Sequence, residues 1–418
     1  MSARDTGAGQ RPLSLYFHIP FCNTICYYCA CNKIITKDHS LSARYVDYLS
    51  REMALQAEAL PGAREVVQMH FGGGTPTFLL PEEMSRLMAE IRKHFVFQPD
   101  GEYSIEVDPR KVSRERVFQL AAEGFNRMSV GIQDFDPQVQ RAVNRIQSED
   151  ETRQVIEAAR AAGFRSVSID LIYGLPHQNA ERFGKTLDRV LAMAPERLAL
   201  YNYAHLPTRF MPQRRIHEAD LPVPEEKLRI LAQAIERLTQ EGYVYIGMDH
   251  FARPDDELAV AQREHALQRN FQGYSTHAEC EMLAFGISAI AKFGNGFSQN
   301  QRELEPYYEA LDKGELPVMR GWHISADEAL RNTAIQRLMC DFSLSFDAID
   351  QAHGIEFTNY FATELAELQV LADAGLLSLS PRGLQVTPAG RMLVRVIAMC
   401  FDAHLRLDRE KRRYSRVI

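Results

Sequence analysis

Long apolar runs are missing from this chain of 418 residues. No stretch approaches the ~18 consecutive apolar residues that mark a membrane-spanning helix, so no membrane partner is expected. A basic excess is missing too: 48 Lys and Arg stand against 55 Asp and Glu, a formal net charge of −7. That balance argues against nucleic acid or an anionic lipid surface as the main partner, while leaving room for a local basic pocket. The polar, Gly-rich start, Met1–Gln10, lacks the apolar centre of a secretory signal. The expected location is therefore the cytoplasm, where thiols stay reduced. Cysteine is scarce as well, and its count of seven is odd, which fits no complete disulfide framework. No internal repeat with a period of ~20–50 residues is evident, which excludes a solenoid.

What is present is a concentration of sulfur. Cys22, Cys26, Cys29 and Cys31 fall within one short segment, and only Cys280, Cys340 and Cys400 lie elsewhere. A reduced compartment disfavours a disulfide there and favours a metal or cluster. Zinc sites usually combine one Cys-x2–4-Cys pair with a second ligand pair well away in sequence. No such second pair is evident, and Cys31 is poorly spaced to share a compact site with Cys29. The spacing Cys22-x3-Cys26-x2-Cys29 favours an iron–sulfur cluster, whose four irons would leave one open if three thiolates bind.

Six short apolar, β-branched runs precede residue 204: Leu13–Ile19, Val66–Phe71, Tyr103–Val107, Arg127–Ile132, Ser166–Ile172 and Leu198–Tyr203. Helix-like segments separate them, at Leu41–Leu60, Pro81–Phe95, Ser113–Gly124, Glu149–Ala162 and Ala180–Ala192, several with start signals. Polar or special residues recur at the C-terminal ends of these strands, the rim where barrel chemistry sits. The pattern predicts an α/β chain built as a partial (β/α)6 TIM-like barrel of parallel strands. A smaller, mainly helical C-terminal domain should follow, with a winged-helix-like hairpin around Ser380–Gly383 and a long helix over Pro388–Leu405. Regularity fades between Leu206 and Asn300. The expected divisions are a short polar leader (1–10), a catalytic domain with its extension (11–300) and the helical domain (321–418), read as a lid or packing unit.

Glu106 and Asp170 interrupt apolar strands, and a carboxylate there is costly unless it is paired or lines a site. Gly72–Gly74 reads equally as a tight turn or as a place of close backbone approach. His18, His205 and His250 read as scaffold histidines, and Cys280, Cys340 and Cys400 as core thiols. The segment Phe271-Gln272-Gly273-Tyr274 reads as an aromatic loop.

The cysteine spacing, with Tyr28 before its last member, resembles the radical S-adenosylmethionine superfamily. The strings Pro12–Cys22, Cys29–Lys33, Gly72–Thr77, Ser104–Pro109, Gly131–Phe135, Ile169–Pro176 and Gly247–Asp256 narrow this. From Arg11 to Ile418 the chain is similar to the bacterial oxygen-independent coproporphyrinogen III oxidases. The resemblance implies one [4Fe–4S] cluster on Cys22, Cys26 and Cys29, with Cys31 a family thiol rather than a ligand. It implies two molecules of S-adenosylmethionine, contacted by Tyr16, Tyr28, Gly73, Gly74, Thr75, Glu106, Gln133, Arg145, Asp170, Ala204 and Ile290. Tyr16 and Glu106 would act closest to the chemistry. The implied reaction is oxidative decarboxylation of two propionates of coproporphyrinogen III to vinyl groups through a 5′-deoxyadenosyl radical. A flavodoxin- or ferredoxin-type electron donor and a monomeric state go with it. The rival reading within the superfamily is a haem-binding chaperone or haem-modifying relative, against which Cys31 counts. The family's longer N-terminal segment has no counterpart in Met1–Gln10, so the resemblance implies cofactor binding more firmly than closure of the site.

Overall fold

The computed structural model describes residues 11–60, 62, 64–277 and 280–407. The polar leader and most of the basic C-terminal stretch lie outside the described residues. Contacts divide the chain into two compact units. The first comprises Met1–Glu196, Pro207–Leu221 and Glu279–His323; the second comprises Arg197–Leu206, Pro222–Ala278 and Ile324–Ile418. The architecture is a partial α/β barrel of parallel strands with a mainly helical C-terminal region.

In the first unit the expected strands form β1 (Leu13–Ile19), β2 (Glu65–Gly73), β3 (Val96–Val107), β4 (Arg127–Gln133) and β5 (Ser166–Tyr173). All neighbouring pairs from β1 to β5 are parallel. The crossovers are α1 (His39–Ala59), α2 (Pro81–His94), α3 (Arg114–Ala122), α4 (Glu149–Ala161) and α5 (Ala180–Ala192). Short polar residues start most of them: the side chains of Asp38, Ser113, Ser148 and Asn179 accept from first-turn N–H groups. A capping box, Ser148 with Glu151, fixes the start of α4.

Period-two alternation sorts the strand residues. In β4 and β5, Val130, Ile132, Ile169 and Leu171 are buried on one face. Ser129, Gly131, Gln133, Ser168 and Asp170 therefore share the other. The parallel register sets Glu106 beside Ser129, and Gly131 beside Asp170. Behind this polar face, Phe17 stacks on Phe71 and Phe285, both at 4.8 Å between ring centroids, and all three are fully buried.

Phe285 belongs to a strand the sequence does not announce. Glu281–Phe285 pairs parallel with β1 on the side away from β2. All five of its residues are buried, so it has no alternation to reveal it, and it is short. From there the sheet continues antiparallel through Ile290–Phe293, Gly296–Asn300 and Val318–His323.

A buried carboxylate ties these parts of the first unit together. Glu52 of α1 accepts from Gln56, the Gly286 backbone, Asn300 Nδ2 at 2.6 Å and Tyr307 Oη at 2.6 Å. Burial outweighs these donors and pushes its pKa up to about 7.

In the second unit, β6 (Arg197–Asn202) stands at the expected place in the sequence and pairs antiparallel with His250–Ala252. Ser343–Ser345, Gly383–Val386 and Leu377–Ser380 form a small antiparallel sheet whose hairpin is the expected one. Phe346, Phe357, Phe361 and Phe401 fill the core beneath it. The single long helix expected over Pro388–Leu405 is instead three short ones, Pro388–Arg391, Val394–Met399 and Ala403–Leu407. Val394, Ile397, Ala398 and Phe401 all belong to the aromatic core, and their i, i+3, i+4, i+7 spacing is that of one helical face, so their burial does not itself call for the breaks.

Candidate active site

The loop that leaves β1 is closed at its base and held along its length. Phe21–Cys22 pairs parallel with Ile34–Ile35, and Thr36 N donates to Cys22 O at 3.0 Å. Tyr27 N donates to Val143 O at 2.9 Å, Asn144 Nδ2 to Ile25 O at 2.7 Å, and Gln213 Nε2 to Tyr28 O at 3.0 Å. The loop after β2 docks on it from the other side, through Gly74 N to Ile19 O at 2.8 Å and Thr75 N to Phe21 O at 2.9 Å.

Two glycines make that docking possible. A Cβ on Gly74 would stand 2.6 Å from Pro20 O, a backbone atom of the cysteine loop itself. Gly73 has φ +115°, and a Cβ there would stand 2.7 Å from the His18 ring. His18 is in turn held by Tyr16 Oη at 3.0 Å and Asn32 O at 2.9 Å. It is a brace of the turn, as its scaffold reading anticipated.

One pocket opens where these loops meet the polar face of the strands. Its atom-free space, part of it open to solvent, is about 720 Å3. Cys22, Cys26 and Cys29 line it together with Gly73, Gly74 and Thr75. Tyr28, Glu106, Gln133, Arg145 and Asp170 line it too, so eleven of the fourteen expected site residues share one cavity. Tyr16 stands just behind, stacked on His70 at 6.0 Å. Ile290 begins a strand of the sheet extension, outside the pocket lining, and Ala204 belongs to the second unit.

Each thiol has its own surroundings. Cys22 Sγ lies 3.4 Å from Thr75 Oγ1, yet burial pushes its pKa up to about 11. The Cys31 thiol hydrogen-bonds to Cys29 and, with Lys33, outweighs burial, bringing Cys29 down to about 6. Arg145 Nη1 and Arg110 Nη2 approach Cys26 Sγ at 3.7 and 3.9 Å. Both guanidiniums also contact Asp108, Arg110 Nε at 2.9 Å and Arg145 Nη1 at 3.4 Å. Burial alone would raise the Asp108 carboxyl; the two arginines outweigh it and hold it below its ordinary value.

The carboxylates differ. Glu106 Oε2 accepts from Gly73 N at 3.2 Å, and Oε1 lies 3.3 Å from His70 Nε2. Asp170 accepts from Ser129 Oγ at 2.8 Å; burial, with Glu106 nearby, pushes its pKa up to about 7. Gln133 ends β4 with φ +70°, a left-handed conformation uncommon for a non-glycine residue and frequent at functional sites.

The donor set fits a sulfur-ligated cluster with a polar organic cofactor. Three thiols face one cavity with cations at hand to offset thiolate charge, and Arg145 Nε is buried without a partner. Among the described residues, no three His, Cys, Asp or Glu side chains converge as a single ion would require. Asp108 and Arg110 were not anticipated as site residues. The signal for them was the string Asp108-Pro109-Arg110 at the end of β3, where Pro109 and the Asp108 cap turn the chain back toward the loop.

The radical SAM superfamily profile matches residues 16–190, and that of the HemN C-terminal domain matches residues 324–393. The oxygen-independent coproporphyrinogen III oxidase of Pseudomonas aeruginosa is 50% identical over 418 residues, covering 99% of this chain and 90% of that protein. The enzyme of the same name from Escherichia coli K12 is 49% identical, covering 98% of this chain and 89% of that protein. The solved structure described as coproporphyrinogen III oxidase (HemN) from Escherichia coli, a radical SAM enzyme, superposes with a TM-score of 0.92. It is 50% identical and covers 95% of this chain and 91% of that one. With half its residues shared over nearly its whole length, the chain belongs to the oxygen-independent coproporphyrinogen III oxidases of the radical SAM superfamily.

Proposed function

We propose that this protein carries out the oxygen-independent oxidation of coproporphyrinogen III to protoporphyrinogen IX, with the pocket of the first unit as its catalytic centre. The observation that carries the reading is the gathering in one cavity of three loop thiols, a glycine turn, Glu106 and Asp170. Cys22, Cys26 and Cys29 hold one [4Fe–4S] cluster, and Cys31 stays outside the ligand set. When bound, the cluster and S-adenosylmethionine supply the 5′-deoxyadenosyl radical that takes hydrogen from the substrate's propionate side chain.

The protein's own groups bind and orient. Thr75 Oγ1 and the guanidiniums of Arg110 and Arg145 donate toward the ligand sulfurs, stabilising thiolates in a half-buried place. Glu106 fixes the Gly73 turn through its backbone N–H, and offers its remaining lone pairs to an ammonium or hydroxyl group. Asp170 and Gln133 face the same space and suit a ribose or a second S-adenosylmethionine, with Arg145 ready for a carboxylate. Tyr16 and Tyr28 wall the site, and Ile290 belongs to the adenosyl surroundings. Residues 11–300 form the catalytic part and 321–418 the helical one. The working form is a cytoplasmic monomer reduced by a flavodoxin- or ferredoxin-type protein.

The test is anaerobic. The reconstituted protein, given reductant, S-adenosylmethionine and coproporphyrinogen III, should form 5′-deoxyadenosine together with protoporphyrinogen IX. Stoichiometric haem binding with no vinyl product would refute the assignment.

A further inference from the structure

Glu106, the carboxylate of β3 that lines the pocket, is held from behind by a residue with no part in the chemistry above. Parallel register places Tyr16, His70 and Ser104 side by side on β1, β2 and β3. Glu106 stands two residues beyond Ser104, on the same face of β3. The His70 imidazole bridges the two: Nδ1 lies 2.6 Å from Ser104 Oγ, and Nε2 lies 3.3 Å from Glu106 Oε1. The Tyr16 ring stacks on it at 6.0 Å, with 13° between the planes, and Tyr16 Oη is tied to His18 Nδ1 at 3.0 Å. His70 itself is half-buried and stands outside the pocket lining.

The hydrogen between His70 and Glu106 has one place to sit. A carboxylate only accepts, so Nε2 donates. Ser104 suits either ring form at Nδ1: its hydroxyl can donate there, or accept there while donating to Met69 O at 3.3 Å. Residue 72 must lack a side chain for the pair to meet. A Cβ on Gly72 would stand 3.0 Å from His70 Nε2 and 3.0 Å from Glu106 Oε1, the two bonded atoms. Gly72, unlike Gly73, is not among the left-handed glycines, so the space it leaves, and not its backbone freedom, is what this contact uses.

Glu106 thereby has one oxygen on His70 and the other on Gly73 N at 3.2 Å. Two fixed points set the plane of the carboxylate; held by Gly73 N alone, it could turn about that single bond. Outer hydrogen-bond partners that orient ligand groups at metal sites are worth roughly 10–100-fold in affinity or activity. Resting on the reading of Glu106 as the group that meets the cofactor's ammonium or hydroxyl, we propose that His70 is a positioning residue for S-adenosylmethionine. It holds Glu106 through Nε2–H and touches neither cofactor nor substrate.

The test separates the two ends of the ring in the full, cluster-reconstituted protein. A Gln amide nitrogen can stand where Nε2 does, and an Asn one where Nδ1 does. His70→Gln therefore keeps the bond to Glu106, and His70→Asn keeps only that to Ser104. Equilibrium binding of S-adenosylmethionine should weaken about tenfold in His70→Asn and stay near the wild type in His70→Gln. Gly72→Ala, which parts the pair while keeping both side chains, should reproduce the loss. The KM for S-adenosylmethionine should rise with kcat largely kept, and cluster absorbance should stay as in the wild type. Adding His70→Asn to Glu106→Gln should weaken binding no further than Glu106→Gln alone. Unchanged affinity in His70→Asn or in Gly72→Ala overturns the proposal. Equal losses in His70→Asn and His70→Gln overturn it too, as does a further loss on the Glu106→Gln background. Wild-type binding by Glu106→Gln itself refutes the reading of Glu106, and the proposal with it. A missing vinyl product refutes the oxidase reading alone, because cofactor binding is measured without substrate.

Discussion

The thiols of the two units stand in opposite surroundings. In the first unit, Cys22, Cys26 and Cys29 open on one pocket and are met by Thr75, two arginines and the Cys31–Lys33 pair. In the second, Cys340 and Cys400 are buried in apolar clusters, and burial pushes the Cys340 thiol up to about 12. Cys400 Sγ donates to the carbonyl of Val396 one turn back. The same side chain thus lines an open cavity in one place and is a small hydrophobe in the other. The difference lies in exposure and in nearby positive charge, as thiolate chemistry requires.

The contrast is sharpest in the cysteine variants. Changing Cys22, Cys26 or Cys29 to Ala should abolish the cluster and all turnover, read by visible absorbance after anaerobic reconstitution. Cys340→Ala and Cys400→Ala should keep both, and so should Cys31→Ala. A cluster lost in Cys31→Ala but kept in Cys29→Ala would reverse the ligand assignment.

The next effect is on stability and ignores the contrast. Phe17 between Phe71 and Phe285, and Phe357 stacked on Phe346 at 4.2 Å, are both fully buried. Truncating either to Ala should cost about 3–5 kcal/mol, measured by the urea midpoint. A cost below about 0.5 kcal/mol, no more than an ordinary surface substitution, would show that site to be loosely packed.

Smaller, and pH-dependent, is the effect of Glu52. Its folded pKa, about 7, lies above its ordinary value of 4.5. The folded state therefore holds the proton more tightly, so the stability this group confers is present below pH ~4.5 and lost as pH rises through about 7. Urea midpoints at pH 5 to 8 should fall more steeply in the wild type than in Glu52→Gln; parallel slopes would exclude the shift. Smallest is a rate difference in metal-free protein. Iodoacetamide should label half-buried Cys29, whose thiol is brought down to about 6, well before buried Cys340 and Cys400, and denaturant should erase the difference.

Much of this was readable along the chain because local rules carried it. β1 and α5 fall at their expected bounds, and β2, β4 and β5 within a residue or two. Alternation marks the strands, and Ser, Asp and Asn caps mark the helices. β3 begins at Val96 rather than Tyr103: Gln98-Pro99-Asp100-Gly101, which reads as a turn, is an irregularity inside the strand, with pairing to β2 made at Val96–Phe97 and taken up again at Glu102. Glu281–Phe285 was invisible because uniform burial erases alternation. The breaks in Pro388–Leu407 were invisible because the spacing of Val394, Ile397, Ala398 and Phe401 reads as one unbroken helical face. In the site, the carboxylates Glu106 and Asp170 betrayed themselves by interrupting apolar strands. The Asp108–Arg110–Arg145 cluster did not, since its members lie up to 37 residues apart and the two arginines come together on Asp108 and Cys26 only in the fold.

The sequence alone determined which segments are strands and helices, and that three thiols belong to one loop, because spacing and period act over a few residues. Only the tertiary structure decided that this loop, the glycine turn and the polar ends of β3, β4 and β5 share one cavity. Parallel register across crossovers of 19 to 45 residues sets which side chains stand together, and no local pattern records it.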